Sequence, residues 1–165
     1  MREAYRASIL HCLSDPGANG DAAAVEFFDD GLLLVEDGVV AEVGNAETLL
    51  AYCGDTKVTD YGDKIIVPGF IDCHVHFPQL DIIASYGTQL LDWLNRYAFP
   101  AEAKFSDPAY AQELAGVFLD ELLQNGTTTA LVFGTVHAHS ADVLFEAAQL
   151  RGMRVVAGKV LMDRM

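Results

Sequence analysis

Two histidines one residue apart, His74 and His76, are the residues of this sequence best suited to metal chemistry. They close the apolar run 70–76, whose alternation predicts a β-strand, and strand residues two apart point to the same face. Imidazole is a common zinc ligand, and a catalytic zinc usually has three protein ligands and a water molecule. The pair therefore predicts two ligands of a metal site at the C-terminal end of a strand.

Asp72 lies two residues before the first histidine, and the same alternation places it on the face of the imidazoles. One role for its carboxylate is to orient a ligating imidazole from the second shell. The other is a strand-end hydrogen bond without a catalytic part. Buried imidazoles and carboxylates need partners, and a shared cation would satisfy all three groups.

Residues 68–76 resemble the first-strand motif of the amidohydrolase superfamily, metal-dependent hydrolases built on a (β/α)8 barrel. Residues 77–105, 131–137 and 157–164 resemble one family within it, the guanine deaminases. The resemblance implies an α/β fold with a partial (β/α)8 TIM-like barrel, of which the chain holds the first three strands. It also implies zinc-dependent hydrolytic deamination of guanine to xanthine and ammonia, with one zinc per active site.

Two more residues gain a role from this resemblance. Gln79 matches the family position that contacts the purine, and a carboxamide offers both a donor and an acceptor to the amide-like edge of guanine. Trp93, the only tryptophan, would wall the purine pocket by stacking; the alternative is a plain core position in a helix.

Three other polar residues are predicted not to bind metal. His137 and His139 form a second His-x-His pair, but they lie in a polar loop without an Asp two residues upstream, so both are predicted to be non-ligands. Lys159 is predicted to be structural, because the carboxylated lysine of some amidohydrolases belongs to the fourth strand. The family's third histidine, acid/base Glu and metal-binding Asp come from later strands, so no catalytic residue is assigned.

The composition limits the classes of partner that the protein can bind. The net charge of −14 argues against nucleic acid and anionic membranes, which both require clustered basic residues. No stretch approaches the ~20 apolar residues of a membrane span, and the N-terminus lacks a secretory signal. Three widely spaced cysteines suit reduced thiols in the cytoplasm. Without a Cys-x-x-Cys motif, the deaminase architecture that uses one is excluded. The family resemblance implies the small molecule guanine as the partner and a homodimer as the full-length enzyme.

The pattern predicts two regions. Residues 1–66 form a small β-rich domain, which the resemblance implies is the N-terminal part of a β-sandwich. Its strands are predicted at 5–13, 25–28, 32–35, 39–43 and 57–61, with a turn at 29–31, an Asp-Gly hairpin at 37–38 and a short helix at 45–52. Residues 67–165 form the N-terminal part of the barrel. Its first elements are predicted as a strand at 70–76 and a helix at 80–97, which Gly87 interrupts and Phe99-Pro100 breaks. They are followed by a helix from Asp107 to Asn125-Gly126, a strand at 127–133, a helix from Ser140 to 150 and a strand at 154–162.

A complete barrel of this kind needs roughly 250 residues, so the 165-residue chain is expected to be an N-terminal fragment. Alone it is expected to lack deaminase activity, to bind zinc weakly and to leave a sheet edge open for association. Two alternatives stay open: another aminohydrolase or cyclic-amide hydrolase reaction of the same superfamily, and a truncated product without catalysis.

Overall fold

The structure, a computed structural model, describes residues 1–162. The chain divides into two compact units, with the boundary between Pro68 and Gly69. None of the helices in the described part is long and apolar enough to cross a membrane.

The first unit is a four-stranded sheet in the order β3-β2-β1-β4, in which β1 runs antiparallel to β2 and parallel to β4. The strands are β1 (Arg2–Cys12), β2 (Val25–Glu36), β3 (Val39–Asn45) and β4 (Val58–Ile66), and the helical turns are α1 (Ala46–Leu49) and 3-10 turns at Ala22–Ala24 and Leu50–Tyr52. The small core of the unit is formed by Ala4, Leu32, Leu34, Ala46, Leu49 and Cys53.

Two turn signals in this unit had different outcomes. Asp37 and Gly38 have φ angles of 51° and 81°, the combination that a type I′ hairpin requires, so the hairpin is confirmed. The predicted turn at 29–31 is wrong, because β2 continues through these residues and accommodates them as a β-bulge. Ser8 of β1 lies opposite the bulge and donates a hydrogen bond to the Asp29 carbonyl at 2.8 Å. The Asp29-Asp30-Gly31 segment therefore forms an irregular strand instead of a chain reversal.

The second unit is a parallel sheet in the order β5-β6-β7, with helices packed on one face. Its strands are β5 (Phe70–His76), β6 (Thr127–Phe133) and β7 (Arg154–Gly158), and its helices are α2 (Leu90–Trp93), α3 (Phe99–Ala103), α4 (Pro108–Gln124) and α5 (Ala138–Leu150). A π-helical turn (Leu94–Ala98) joins α2 to α3, and 3-10 turns span Phe77–Ile82 and Lys104–Ser106. The core between sheet and helices includes Phe77, Phe105, Phe118, Leu119, Val132 and Leu144.

The strand–helix–strand order of this unit confirms the predicted α/β class. β5 and β6 have the predicted bounds, and α4 begins as predicted, since Asp107 accepts a hydrogen bond from the Ala109 amide at 2.9 Å. β7 ends at Gly158, earlier than predicted. The last residues of the resembling stretch 157–164, at 163 and 164, lie outside the described residues.

The predicted helix at 80–97, interrupted at Gly87, is wrong over residues 83–89, and the chain is helical from Leu90 onward. The 3-10 turn that follows β5 ends at Ile82, Ala84 takes a left-handed φ of 61°, and helical structure resumes only at Leu90. It then continues through Phe99-Pro100 instead of breaking there. Pro100 occupies the first turn of α3, a position where the missing N–H of proline costs little.

Candidate metal and purine site

The two imidazoles at the end of β5 converge on each other. Their Nε2 atoms lie 3.3 Å apart, and their ring centroids lie 5.2 Å apart with a tilt of 55°. His74 is exposed and His76 is half-buried. Burial lowers the pKa of His76, the neighbouring His74 lowers it further, and the Glu102 carboxylate opposes both effects. The neutral imidazole that a metal requires is thus favoured at His76.

The spacing of the two nitrogens fits a zinc ion. Two ligands at about 2.0–2.1 Å from a tetrahedral zinc lie about 3.3–3.4 Å apart, which agrees with the observed 3.3 Å. Among residues 1–162, no group of three or more His, Cys, Asp or Glu side chains is arranged to hold a metal ion. The described residues therefore supply a pair of ligands and not a complete set.

Asp72 does not share the face of the imidazoles, so that expectation is wrong. A register shift between Asp72 and Val75 pairs these two residues with the buried Ala130 and Val132 of β6, which face the helices. Asp72 lines a cavity against α4 instead of the histidine cleft. Its Oδ1 accepts a hydrogen bond from the His74 amide at 2.9 Å. The carboxylate thus holds the main chain of His74, and its contact is the strand-end alternative.

Phe133 supports both imidazoles, a contact that sequence reasoning missed. Its ring stacks on His76 with centroids 4.7 Å apart and an interplanar angle of 11°, and it lies 4.9 Å from His74. The register places Phe133 directly beside His76, at the ends of neighbouring parallel strands. The strands were predicted to end at residues 76 and 133, and the pairing of these two ends was the sequence signal that could have identified the contact.

The histidine pair opens onto a cleft of about 400 Å³ that also contains Gln79 and Trp93. Both are half-buried, and the Trp93 Nε1 donates a hydrogen bond to Ser85 Oγ at 2.8 Å. The apolar part of the lining includes Val75, Leu80, Ile82, Ile83 and Phe118. The structure therefore brings together the two predicted ligands and the two predicted substrate contacts.

Gln79 has a partner that sequence reasoning did not find. Its Nε2 donates a hydrogen bond to Glu102 Oε1 at 3.2 Å. Glu102 lies in the first turn of α3, 23 residues further along the chain. Neither a motif nor a spacing in the sequence links the two positions.

The second His-x-His pair lies at the start of α5. His137 is the residue that precedes the helix, and His139 Nε2 lies 2.7 Å from the Phe105 carbonyl, where it donates a hydrogen bond. Lys159 is exposed and donates to the neighbouring Val160 carbonyl at 3.4 Å. The assignment of all three as non-ligands stays a prediction.

Residues 65–165 match the family model described as "Amidohydrolase family". The chain therefore belongs to the amidohydrolase family, and the predicted superfamily resemblance is confirmed.

The similar proteins include guanine deaminases. The chain is 52% identical over 144 residues to guanine deaminase of Escherichia coli K12, covering 87% of this chain and 33% of that protein. The solved E. coli enzyme superposes with a TM-score of 0.90 at 47% identity, covering 99% of this chain and 38% of the other. Guanine deaminase from C. acetobutylicum, solved with bound guanine in the active site, superposes with a TM-score of 0.80 at 30% identity, covering 99% and 37%.

The chain spans about a third of the length of these relatives. A more distant structure shares the fold: atrazine chlorohydrolase from Arthrobacter aurescens TC1, complexed with zinc, has a TM-score of 0.73 at 19% identity and is matched over 98% of this chain and 36% of its own.

Proposed function

We propose that this chain is part of a guanine deaminase, which hydrolyses guanine to xanthine and ammonia with one zinc ion. The observation that carries the proposal is the 3.3 Å separation of the two Nε2 atoms, which matches two ligands of one tetrahedral ion. The similarity to guanine deaminases of 30–52% identity supports the choice of substrate.

The same proposal extends to the architecture. Residues 67–165 would be the N-terminal part of a (β/α)8 barrel, with β5, β6 and β7 as its first three strands, and residues 1–66 would be part of a β-sandwich. In such barrels the chemistry lies at the C-terminal ends of the strands. His76 and Phe133 are the last residues of β5 and β6, which supports a site at that end of the proposed barrel.

His74 and His76 would hold the zinc through their Nε2 atoms. When bound, zinc makes water a good nucleophile near neutral pH and stabilises developing negative charge. Phe133 stacks against both rings, and Asp72 holds the main-chain amide of His74. These residues position the ion, and none of them is assigned a proton transfer.

Gln79 and Trp93 would bind the purine beside the ion. The Gln79 carboxamide presents a donor and an acceptor, which match the N1–H and O6 of guanine. Trp93 is held by its hydrogen bond to Ser85, so its ring is a fixed wall of the cleft and is available for stacking on a purine. A homodimeric, cytoplasmic enzyme is proposed from the family resemblance and from the free thiols of Cys12, Cys53 and Cys73.

The metal assignment is tested by titrating the metal-free chain with zinc in competition with a chromophoric chelator. His74→Ala and His76→Ala are each expected to weaken zinc binding roughly tenfold or more, since each ligand accounts for a substantial share of the binding free energy. His137→Ala, from the second His-x-His pair, is the matched control and is expected to leave the affinity within twofold. Equal effects at His76 and His137 would contradict the assignment.

The substrate assignment has its own measurement. Guanine added to the zinc-loaded chain is expected to change the fluorescence of Trp93, the only tryptophan, and the change is expected to disappear in Gln79→Leu. Xanthine formation is followed in the same samples. Turnover by the 165-residue chain would contradict the expectation that this segment alone is inactive.

A further inference from the structure

We propose that Glu102 is a positioning residue that fixes which end of the Gln79 carboxamide faces the cleft, and thereby selects oxopurines over aminopurines. The inference rests on the proposed function, because it assumes that a purine binds in this cleft. It begins from the hydrogen bond that Gln79 Nε2 donates to Glu102 Oε1 at 3.2 Å.

The chemistry of the pair allows only one orientation of the amide. A carboxylate only accepts hydrogen bonds, whereas a carboxamide has a donating end and an accepting end. If the amide turned over, its Oε1 would stand against the Glu102 oxygen and two acceptors would repel each other. The bond is charge-assisted and therefore stronger than a neutral one, and both residues are half-buried. Glu102 thus keeps the nitrogen end of the Gln79 carboxamide turned toward its own carboxylate.

The opposite end of the amide is left for a ligand. Among residues 1–162, the contact with Glu102 is the only hydrogen bond of the Gln79 side chain. Its Oε1 and its second N–H therefore have no partner among these residues, and Gln79 lines the cleft that also contains His74, His76 and Trp93. An acceptor and a donor in one plane can bind the edge of a flat ligand that carries a donor beside an acceptor.

The fixed order of acceptor and donor discriminates between purines. Guanine presents a donor at N1–H and an acceptor at O6, whereas adenine presents an acceptor at N1 and a donor at its exocyclic amine. A freely rotating carboxamide serves both edges equally well by turning over. With the ring held at the metal by the histidine pair, an amide locked by Glu102 serves only one of the two. We infer that it serves the 6-oxopurine, the class that includes guanine.

One helical run delivers both parts of this arrangement. Trp93 ends α2, the π-helical turn Leu94–Ala98 follows, and Glu102 lies in the first turn of α3. π-helical turns are rare and often occur at functional sites. The run thus brings Trp93 to the wall of the cleft and Glu102 behind Gln79, where it also lines a second cavity of about 470 Å³ with His137.

The contact itself is tested by NMR of the Gln79 side-chain amide in the 165-residue chain, assigned by its absence in Gln79→Leu. One of the two wild-type amide protons is expected to be shifted downfield by its hydrogen bond to the Glu102 carboxylate. Glu102→Gln is expected to reduce that shift, because a neutral acceptor makes a weaker bond. Glu113→Gln, which changes an exposed glutamate of α4, is the matched control and is expected to leave it intact. A wild-type amide in which neither proton is shifted downfield would overturn the proposal without any variant.

The selectivity is tested with guanine and adenine as probes of the zinc-loaded chain, read by Trp93 fluorescence. Glu102→Gln keeps the shape but can both donate and accept, so the preference for guanine over adenine is expected to fall about fivefold. An unchanged preference would overturn the inference. If the zinc-loaded wild type binds neither purine, the proposed function fails, whereas the NMR result still decides whether Glu102 orients Gln79.

Discussion

The second unit contains two His-x-His pairs of identical spacing that differ in almost everything else. In the first, at the end of β5, the two Nε2 atoms lie 3.3 Å apart and can share an ion. In the second, at the start of α5, His139 Nε2 is committed to the Phe105 carbonyl at 2.7 Å. The ring centroids are nearly as close, at 5.2 Å and 5.7 Å. Proximity of rings therefore does not distinguish a candidate metal site; the direction of the nitrogens does.

The difference comes from the backbone that carries each pair. Residues two apart on a strand point to one face, whereas residues two apart on a helix do not face each other. His74 and His76 both lie in β5, but His137 precedes α5 and His139 lies within its first turn. The same three-residue pattern thus gives converging ligands in one setting and a packed loop in the other.

The second pair is expected to be part of the folded framework, and Ser140→Ala tests this with the largest effect. Ser140 is fully buried, and its Oγ donates to the His137 carbonyl at 2.7 Å and lies 2.8 Å from Thr135 Oγ1. Loss of the hydroxyl removes both contacts and leaves the proton of the buried Thr135 hydroxyl without an acceptor. The free energy of unfolding in urea is therefore expected to fall by about 1–3 kcal/mol. Zinc affinity is expected to stay unchanged.

Ser106→Ala is the control for this prediction, because Ser106 is exposed. It is expected to change the free energy of unfolding by less than ~0.5 kcal/mol. A drop in zinc affinity in Ser140→Ala without a loss of stability would mean that the second pair also serves a metal site.

The first pair is expected to depend on Phe133, with an intermediate effect. Phe133→Leu removes the ring that stacks on both imidazoles while keeping an apolar side chain. Aromatic contacts of this kind are worth about 0.5–1.5 kcal/mol, so zinc affinity is expected to fall about two- to tenfold. Leu131→Ala, two residues earlier on β6 and also exposed, is expected to leave zinc affinity unchanged. Equal losses in the two variants would show that the sheet, and not the stacking, holds the rings.

Local signals predicted those parts of the site that depend on a few neighbouring residues. The strand 70–76 and the helix that begins after Asp107 follow from alternation, a capping carboxylate and a proline at the first helical position. The convergence of His74 and His76 follows from strand geometry alone. These elements needed no knowledge of the rest of the chain.

Contacts that depend on tertiary structure could not be predicted in the same way. The register shift after Asp72 turns its carboxylate to the helix side, and no residue type in the sequence announces that shift. The pairing of Gln79 with Glu102 needs the π-helical turn that sets the start of α3. The bulge opposite Ser8 converted a predicted turn into continuous strand because pairing with β1 outweighed the turn-forming residues.

The finest distinction between the two pairs lies at Asp72, and Asp72→Asn is expected to have the smallest effect. Asparagine keeps an oxygen that accepts the His74 amide hydrogen bond, now 2.9 Å long, and removes only the charge. If the carboxylate acts on the main chain alone, zinc affinity is expected to change less than about threefold and the free energy of unfolding less than ~0.5 kcal/mol.

Asp72→Ala completes this test, since it removes the acceptor and is expected to lower the free energy of unfolding by about 0.5–1.5 kcal/mol. Partners that orient a ligating imidazole typically contribute 10–100-fold to metal affinity. A loss of that size in Asp72→Asn would show that the carboxylate reaches an imidazole when the metal binds. The strand-end hydrogen bond to His74 would then describe only the metal-free arrangement, and the first pair would differ from the second in a charged partner as well as in direction.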